Sequence, residues 1–175
     1  MEAYVAGDAE AFQRLFRTLA PAIHAFFART VGRGAVAEDL LQTTFLKLHR
    51  ARGSWRRGAR LRPWAFTIAA RVRTDWLRRN GREELQDEAV SNSVASCDPA
   101  AAVLARERSD RVRAALEGLP GPQRVVVHLH RFEDMSFAEI GEVLGISESA
   151  AKLRAFRAYA ELRRLLADLV TEEPA

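Results

Sequence analysis

The stretch from Met135 to Ala158, MSFAEIGEVLGISESAAKLRAFRA, constrains the fold more than any other part of the chain. Ser136 is followed three residues later by Glu139, a capping-box pattern that starts a helix, and Met135 with Ile140 can form the accompanying hydrophobic staple. Gly145 stands where a helix can end in a left-handed conformation. Two helices joined by so short a turn predict a helix-turn-helix.

The second helix of this pair begins after Ser147, which can cap it, and presents Lys152, Arg154 and Arg157. A short cationic helix is suited to the major groove of duplex DNA, where it can contact phosphates and base edges. On this stretch alone, a helical hairpin with merely solvated arginines is the alternative.

The charge of the whole chain favours a polyanionic partner. The 175 residues carry a formal net charge of +4, and 48% of them are hydrophobic, which is enough to build real cores. Only Lys47 and Lys152 are lysines, so nearly all of the positive charge is arginine. Arginine suits bidentate contacts to phosphate and guanine, although a GC-rich genome explains the same bias.

Several classes of protein are disfavoured by what the sequence lacks. Cys97 is the single cysteine, so neither a disulfide framework nor a cysteine metal site is predicted. No signal peptide and no apolar run of about 18 residues are found, which predicts a cytoplasmic protein without a membrane span. The histidines are scattered and no glycine-rich phosphate loop with a lysine is present. We therefore expect no catalytic residue, no metal site and no cofactor.

The amino-terminal third predicts helices with one unusual face. Residues 8 to 31 have helical apolar spacing that Pro21 interrupts, which predicts two helices. Another helix is predicted from Val36 to about Arg50. Its apolar residues cluster on one side and leave Asp39, Gln42 and Leu46 on another, a pattern that resembles a docking surface.

The segment 50–62, RARGSWRRGARLR, contains six arginines, two glycines and no acid. Glycines make a regular helix improbable, so a basic loop is predicted, and Trp55 is a candidate stacking platform for an unpaired base. The alternative role for Trp55 is to cap the nearby core. Pro63 then starts a predicted helix on which Arg71, Asp75, Arg78 and Arg82 share a face, so that loop and helix form one cationic surface.

The chain is predicted to be all-α, with two small helical domains. Residues 1–82 form the first domain, and the acidic, then serine-rich segment 83–99 is predicted to be a flexible linker. Residues 100–175 form the second, with a helix from about Ala100 to Glu117, another from Gln123 to Phe132, and the helix-turn-helix. His128 and His130 lie two residues apart, on opposing sides of a helix, and so do not form a metal pair.

Several motifs in this order carry a resemblance to a known family. They are GDAEAFQRLF (7–16), AEDLLQTTFLKLHRARG (37–53), RPWAFTIAARVRTDWLRR (62–79), LPGPQRVVVHLHRFEDMSFAEIGEVLGIS (119–147) and AAKLRAFRAYAELRRLL (150–166). Together they resemble the sigma-70 family of RNA polymerase sigma factors. The chain is similar in particular to the extracytoplasmic function type (group 4), which keeps only the second and fourth conserved regions.

The resemblance implies three functional surfaces. Core polymerase, through its β′ clamp, would dock on Asp39, Gln42, Thr43 and Leu46. Thr43 and the pair Ala70-Arg71 differ from the residues that many members of the family carry at these positions. Two further groups of residues would bind promoter DNA. The single-stranded minus-ten element would be held by Arg52, Trp55, Arg56, Arg57, Arg60, Arg71, Asp75, Arg78 and Arg79, and the minus-thirty-five element by Ser149, Lys152, Leu153, Arg154 and Arg157.

The family also implies a β flap contact, an anti-sigma partner and no bond chemistry by this chain. Two other classes of protein fit the sequence less well. A polymerase-independent helix-turn-helix regulator leaves the arginine loop and the exposed Asp39, Gln42 and Leu46 unexplained. A DNA-processing enzyme such as a recombinase requires a nucleophile beside a base, or clustered carboxylates for metal, and acids cluster only in the linker.

Overall fold

The computed structural model describes residues 1–32, 34–80 and 99–167, and within them every regular element is a helix. The prediction of an all-α fold is confirmed. Most of the predicted linker, together with Arg82 and Cys97, lies outside the described residues. The elements in chain order are α1 (Glu2–Val5), α2 (Ala9–Thr30), α3 (Ala35–Ala51), a 3-10 turn (Arg52–Ser54), α4 (Leu61–Asn80), α5 (Pro99–Glu117), α6 (Gly121–Arg131), α7 (Phe137–Leu144) and α8 (Glu148–Leu165).

The prediction of two helices between residues 8 and 31 is wrong, because α2 runs unbroken through Pro21. An interior proline costs a helix about 3 kcal/mol, since it removes one hydrogen bond and crowds the preceding turn. Here Pro21 is exposed, while Leu19, Ile23 and Phe26 on either side of it are completely buried. One continuous apolar stripe therefore holds the helix together, because burying each large side chain contributes about 1.5 to 3 kcal/mol.

The basic loop is shorter than its sequence predicts. Helix α3 continues into the 3-10 turn, where Arg52 Nη1 donates to the carbonyl of His49 (2.8 Å) and Ser54 Oγ donates to that of Ala51 (2.7 Å). These bonds satisfy carbonyls that a helix end leaves free. At the other end, α4 begins at Leu61 rather than at Pro63, because the Leu61 side chain packs against the core. Only residues 55–60 remain as an irregular connection.

The helix-turn-helix forms as its local chemistry predicts. The Ser136 hydroxyl accepts from the Glu139 amide, and the Glu139 carboxylate accepts from the Ser136 amide (2.9 Å), completing the capping box of α7. Gly145 ends α7 with φ of 66°, and the Ser147 hydroxyl caps α8. The turn is so tight that a Cβ on Gly141 would lie 2.8 Å from the carbonyl oxygen of Ile146. Only glycine fits there without displacing backbone.

The two halves of the chain share one core. Phe26 of α2 and Phe66 of α4 meet edge to face, with ring centroids 5.6 Å apart, and the ring of His128 from α6 lies 5.3 Å from Phe26. All three side chains are buried, together with Leu129 and Ile140 of the second half. The second half is therefore docked on the first by apolar contact.

Candidate nucleic-acid interface

The proposed polymerase-docking residues lie together on one face of α3. Asp39, Gln42 and Leu46 are exposed and follow one another at helical spacing, whereas Thr43 beside them is half-buried. Leu46 is 61% exposed, although Leu40 and Leu48 of the same helix are buried. An isolated exposed leucine is ordinary, but one flanked by an acid and an amide on a single face forms a mixed surface suited to a protein partner.

The arginines of the basic loop are not equally free. Arg56 is exposed, whereas Arg57 Nε lies 3.0 Å from the carboxylate of Glu2 and Arg60 forms an ion pair with Glu139 of α7. Arg52 is held against the end of α3. The loop is thus cationic, but acids from α1 and α7 already neutralise part of its charge.

Trp55 differs from the other tryptophans of the chain. Trp64 and Trp76 pack against the buried core, whereas Trp55 does not belong to that group of packed residues within the described chain. Its ring is half-buried, and its indole Nε1 is shielded from solvent with no hydrogen-bond partner among the described residues. The exposed part of the ring is open to a stacking partner, whereas the shielded Nε1 shows that one edge of the ring is covered by the protein.

The outer face of α4 continues the cationic surface. Arg71, Arg78 and Arg79 are exposed. Asp75 is half-buried and pairs with Lys47 (3.4 Å) and with Arg78 (3.1 Å), so it orients two cations. The predicted grouping of Arg71, Asp75 and Arg78 agrees with these positions.

Another arginine of α4 has a structural role. Arg73 donates from Nε and Nη2 to the carbonyl of Thr30 (3.3 and 3.2 Å), and it ties α4 to the end of α2. Burial, with the nearby charge of Arg124, lowers the pKa of Arg73 to about 10. It remains charged at neutral pH, and its donors are directed to backbone rather than to solvent.

Helix α8, the second helix of the helix-turn-helix, has an outer face that includes apolar as well as cationic side chains. Ala151, Ala155 and Ala158 point into the core, so the opposite side of the helix faces solvent. Lys152 is exposed but bound to Glu148 (2.6 Å), and Arg154 is half-buried on the flank. Also exposed on α8 are Ser149, Leu153 and Arg157.

Sequence reasoning missed Phe156. Its side chain is 68% exposed, and Leu153 one turn earlier is 49% exposed, so two apolar groups lie on the outer side of α8 between cations. The signal was available, because Leu153 and Phe156 are three residues apart and fall between the small buried alanines. Apolar side chains in the major groove contact the methyl group of thymine.

The described part of the chain holds neither a membrane-spanning helix nor a metal-binding cluster. Across residues 1–32, 34–80 and 99–167, no helix is long and apolar enough to cross a bilayer. Within the same ranges, no group of three or more histidine, cysteine, aspartate or glutamate side chains is arranged to hold a metal ion.

The helix-turn-helix and the cationic face of α4 define a helical DNA-binding protein, and comparisons with known proteins identify its family. Models of sigma-70 region 2 and sigma-70 region 4 match residues 15–83 and 109–162. The chain therefore belongs to the sigma-70 family of RNA polymerase sigma factors, and within it to the extracytoplasmic function type. It is 41% identical to the RNA polymerase sigma factor CarQ of Myxococcus xanthus, over 98% of both chains.

Other relatives and solved structures agree with this assignment. The extracytoplasmic function sigma factor SigM of Mycobacterium tuberculosis is 34% identical, over 98% of this chain and 85% of the relative. The sigma factor RpoE of Bartonella quintana, solved with the anti-sigma factor NepR, superposes with a TM-score of 0.73 at 25% identity, covering 91% of this chain and 98% of RpoE. CnrH, solved with the cytosolic domain of CnrY, gives 0.66 at 28% identity, covering 94% and 92%.

Proposed function

We propose that this sigma factor binds core RNA polymerase through α3, reads duplex promoter DNA at the minus-thirty-five element through α8, and captures the melted minus-ten strand on the basic loop and α4. The observation that supports this most strongly is the coincidence of two family matches with two separate basic surfaces, one in each half of the chain. The proposed action is in the cytoplasm, and the polymerase supplies all bond chemistry.

The duplex-reading step rests on α8. Lys152 and Arg157 would neutralise phosphates, a contribution independent of sequence, while Arg154 would approach a guanine edge from the flank of the helix. Leu153 and Phe156 would contact thymine methyl groups. Such a mixture of cationic and apolar contacts separates affinity from specificity, because phosphate contacts position the helix and base-edge contacts select the sequence.

The melting step rests on stacking and charge. Opening a few base pairs costs several kcal/mol, and stacking a released base on an aromatic ring returns about 1 to 3 kcal/mol. Trp55 would supply the ring, and Arg56, Arg71 and Arg79 would follow the backbone of the released strand. Arg57 and Arg60 would join them after exchanging their carboxylate partners for phosphates.

The proposed protein partners are the β′ clamp of core polymerase on α3, the β flap on the second half, and an anti-sigma protein. The anti-sigma partner is supported by RpoE and CnrH, which were solved with NepR and with a domain of CnrY.

The direct test of polymerase binding is gel filtration of the chain with core polymerase. Co-elution is expected, whereas specific promoter binding without co-elution would favour a polymerase-independent regulator.

A further inference from the structure

The short helix α1 is anchored where α3 ends and the basic loop begins. The Tyr4 side chain is buried, and its hydroxyl lies 2.6 Å from Nδ1 of His49, in the last turn of α3. The ring of Tyr4 also packs against the rings of Phe12 and His49, with centroids 5.3 and 5.9 Å away. One hydrogen bond and two ring contacts therefore hold the end of α3 against α1.

Further hydrogen bonds lead from His49 to Trp55. The carbonyl of His49 accepts from the backbone N–H of Arg52 and from its Nη1 (2.8 Å). The carbonyl of Arg52 accepts in turn from the backbone N–H of Trp55 (3.3 Å), where the 3-10 turn ends. Because each of these bonds spans only three residues, the position of His49 determines where Trp55 leaves the turn.

Helix α1 contacts the loop on the far side of Trp55 as well. The carboxylate of Glu2 lies 3.0 Å from Nε of Arg57, and both side chains are more than half exposed, so this ion pair is weak and a phosphate can replace the carboxylate. Burial raises the pKa of Tyr4, and the charge of the nearby Arg52 opposes that rise. One buried anchor and one exchangeable ion pair thus join α1 to the chain on either side of Trp55.

We propose that Tyr4 is a positioning residue for the strand-binding loop: by holding His49, it places the 3-10 turn and Trp55 before any base is unpaired. The inference rests on the proposed function, because it assigns α1 a role in base stacking on Trp55. Gly53 gives the turn more conformational freedom than another residue would, so the turn needs support from outside. A ring that must first be ordered loses part of the free energy that stacking returns.

The first test is hydrogen–deuterium exchange of the full-length chain carrying Tyr4→Phe. Phenylalanine keeps a ring against Phe12 and removes only the hydroxyl that bonds His49. The amides of Arg52 and Trp55 should exchange about two- to tenfold faster than in the wild type, the range that one lost hydrogen bond provides. Amides in the buried middle of α2 should exchange at wild-type rates, because a positioning role is local.

The matched control is Tyr159→Phe, which removes the hydroxyl of the other tyrosine of the chain. Tyr159 lies in α8 and packs against the core without contacting α1 or the basic loop in the contacts that hold Tyr4. The Tyr159→Phe variant should leave exchange at Arg52 and Trp55 unchanged.

The second test separates positioning from simple destabilisation. Holoenzyme reconstituted with Tyr4→Phe is compared with the wild type by permanganate footprinting at a promoter mapped by run-off transcription. Opening should fall about two- to tenfold, with duplex binding unchanged. In a chain that also carries Trp55→Ala, Tyr4→Phe should cause no further loss, because the ring that it positions is absent.

Three results would each overturn the inference. They are unchanged exchange at Arg52 and Trp55 in Tyr4→Phe, equally faster exchange throughout the fold, and an effect of Tyr4→Phe on opening that is absent or is additive with that of Trp55→Ala. Failure of the proposed function is distinguishable from these. A chain that directs no transcription overturns the stacking role, whereas exchange in the free chain still decides whether Tyr4 holds the loop.

Discussion

The carboxylate of Glu133 joins two parts of the fold, because one oxygen lies 2.6 Å from Nη1 of Arg62 in α4 and the other lies 3.4 Å from Nε2 of His128 in α6. The His128 ring is buried between Phe26 and Phe132, and the guanidinium of Arg29 lies 4.3 Å from the centre of the Phe132 ring. At 3.4 Å, the contact with Glu133 is electrostatic rather than a well-formed hydrogen bond. A titratable ring is thus enclosed where the two halves meet.

Acid should destabilise the fold through His128. Burial, helped by the charge of Arg29 and opposed by Glu133, lowers the pKa of His128 below its ordinary value of 6.5. In the window just below pH 6.5 the unfolded chain binds a proton that the folded chain excludes, so stability is present above that pH and is lost as the pH falls. Chemical denaturation at about pH 7.5 and about pH 5.5 should show this loss, with a slope of at most about 1.4 kcal/mol per pH unit from this one group.

The variant that isolates this effect is His128→Leu, which keeps an apolar side chain in the core and cannot titrate. Its free energy of unfolding should vary less with pH than that of the wild type. His24→Gln, which removes a half-buried histidine of α2, is the matched control. Equal pH dependence in the wild type and His128→Leu, or equal flattening in both variants, would contradict the assignment.

Changing the exposed face of α3 should weaken polymerase binding without disturbing the fold. Leu46→Asp places a charge where an apolar contact is proposed, and Gln42→Ala removes the amide beside it. A residue at the energetic centre of an interface contributes more than about 1 kcal/mol, so the affinity for core polymerase should fall at least about fivefold if this face is central to docking. Circular dichroism should be unchanged. Val112→Asp, which changes another exposed apolar residue, is the control. If both α3 variants bind core polymerase as tightly as the wild type, this docking face is ruled out.

Trp55→Ala should impair promoter opening more than initial duplex binding, because a stacking platform acts only on unpaired bases. Permanganate footprinting on closed and pre-melted templates separates the two steps. Trp55→Phe keeps a ring and should retain most of the opening. If a pre-melted bubble does not rescue Trp55→Ala, or if that variant fails to fold, the ring caps the core instead.

Two cations of α8 should have separable effects on DNA binding. Arg154→Ala should cost about 1 to 3 kcal/mol and relax the preference at one position of the minus-thirty-five element. Lys152→Ala should weaken binding to all sequences alike and reduce the salt dependence by about one phosphate. Titrations against single-base variants at two salt concentrations distinguish them. If Arg154→Ala lowers the affinity for every sequence equally and leaves the base preference intact, the base-edge and phosphate contacts are wrongly assigned between these two residues.

The helix-turn-helix was predictable because its turns and caps depend on residues close together in the sequence. Contacts between residues far apart in the sequence leave no such local pattern. Ser136, Gly145 and Ser147 act on backbone groups within a few residues, so sequence spacing specifies their geometry. The break predicted at Pro21 failed because burial on both sides of the proline outweighs a local penalty. That outcome depends on partners from other helices, which spacing alone does not reveal.

The docking of the two halves was equally inaccessible from sequence. Arg62 and Glu133 are separated by 71 residues, and Arg60 and Glu139 by 79, so no local pattern links them. The spacing of His128 and His130 correctly assigned the rings to different sides of α6. His130 stacks on Phe137 of α7, but the burial of His128 against Phe26 of α2 depends on how the halves pack.

Run-off transcription on fragmented genomic DNA from the source bacterium, with purified core polymerase, tests the proposed role most directly. Core polymerase plus this chain should yield discrete transcripts that core polymerase alone does not, and Leu46→Asp should reduce their yield. The transcription start sites should map to promoters that share two sequence elements. Arg154→Ala should change the sequence preference at the minus-thirty-five element, and Trp55→Ala should reduce opening at the minus-ten element. Transcripts identical with and without the chain, from a preparation shown to be folded, would contradict the assignment of this chain as a promoter-specific sigma factor.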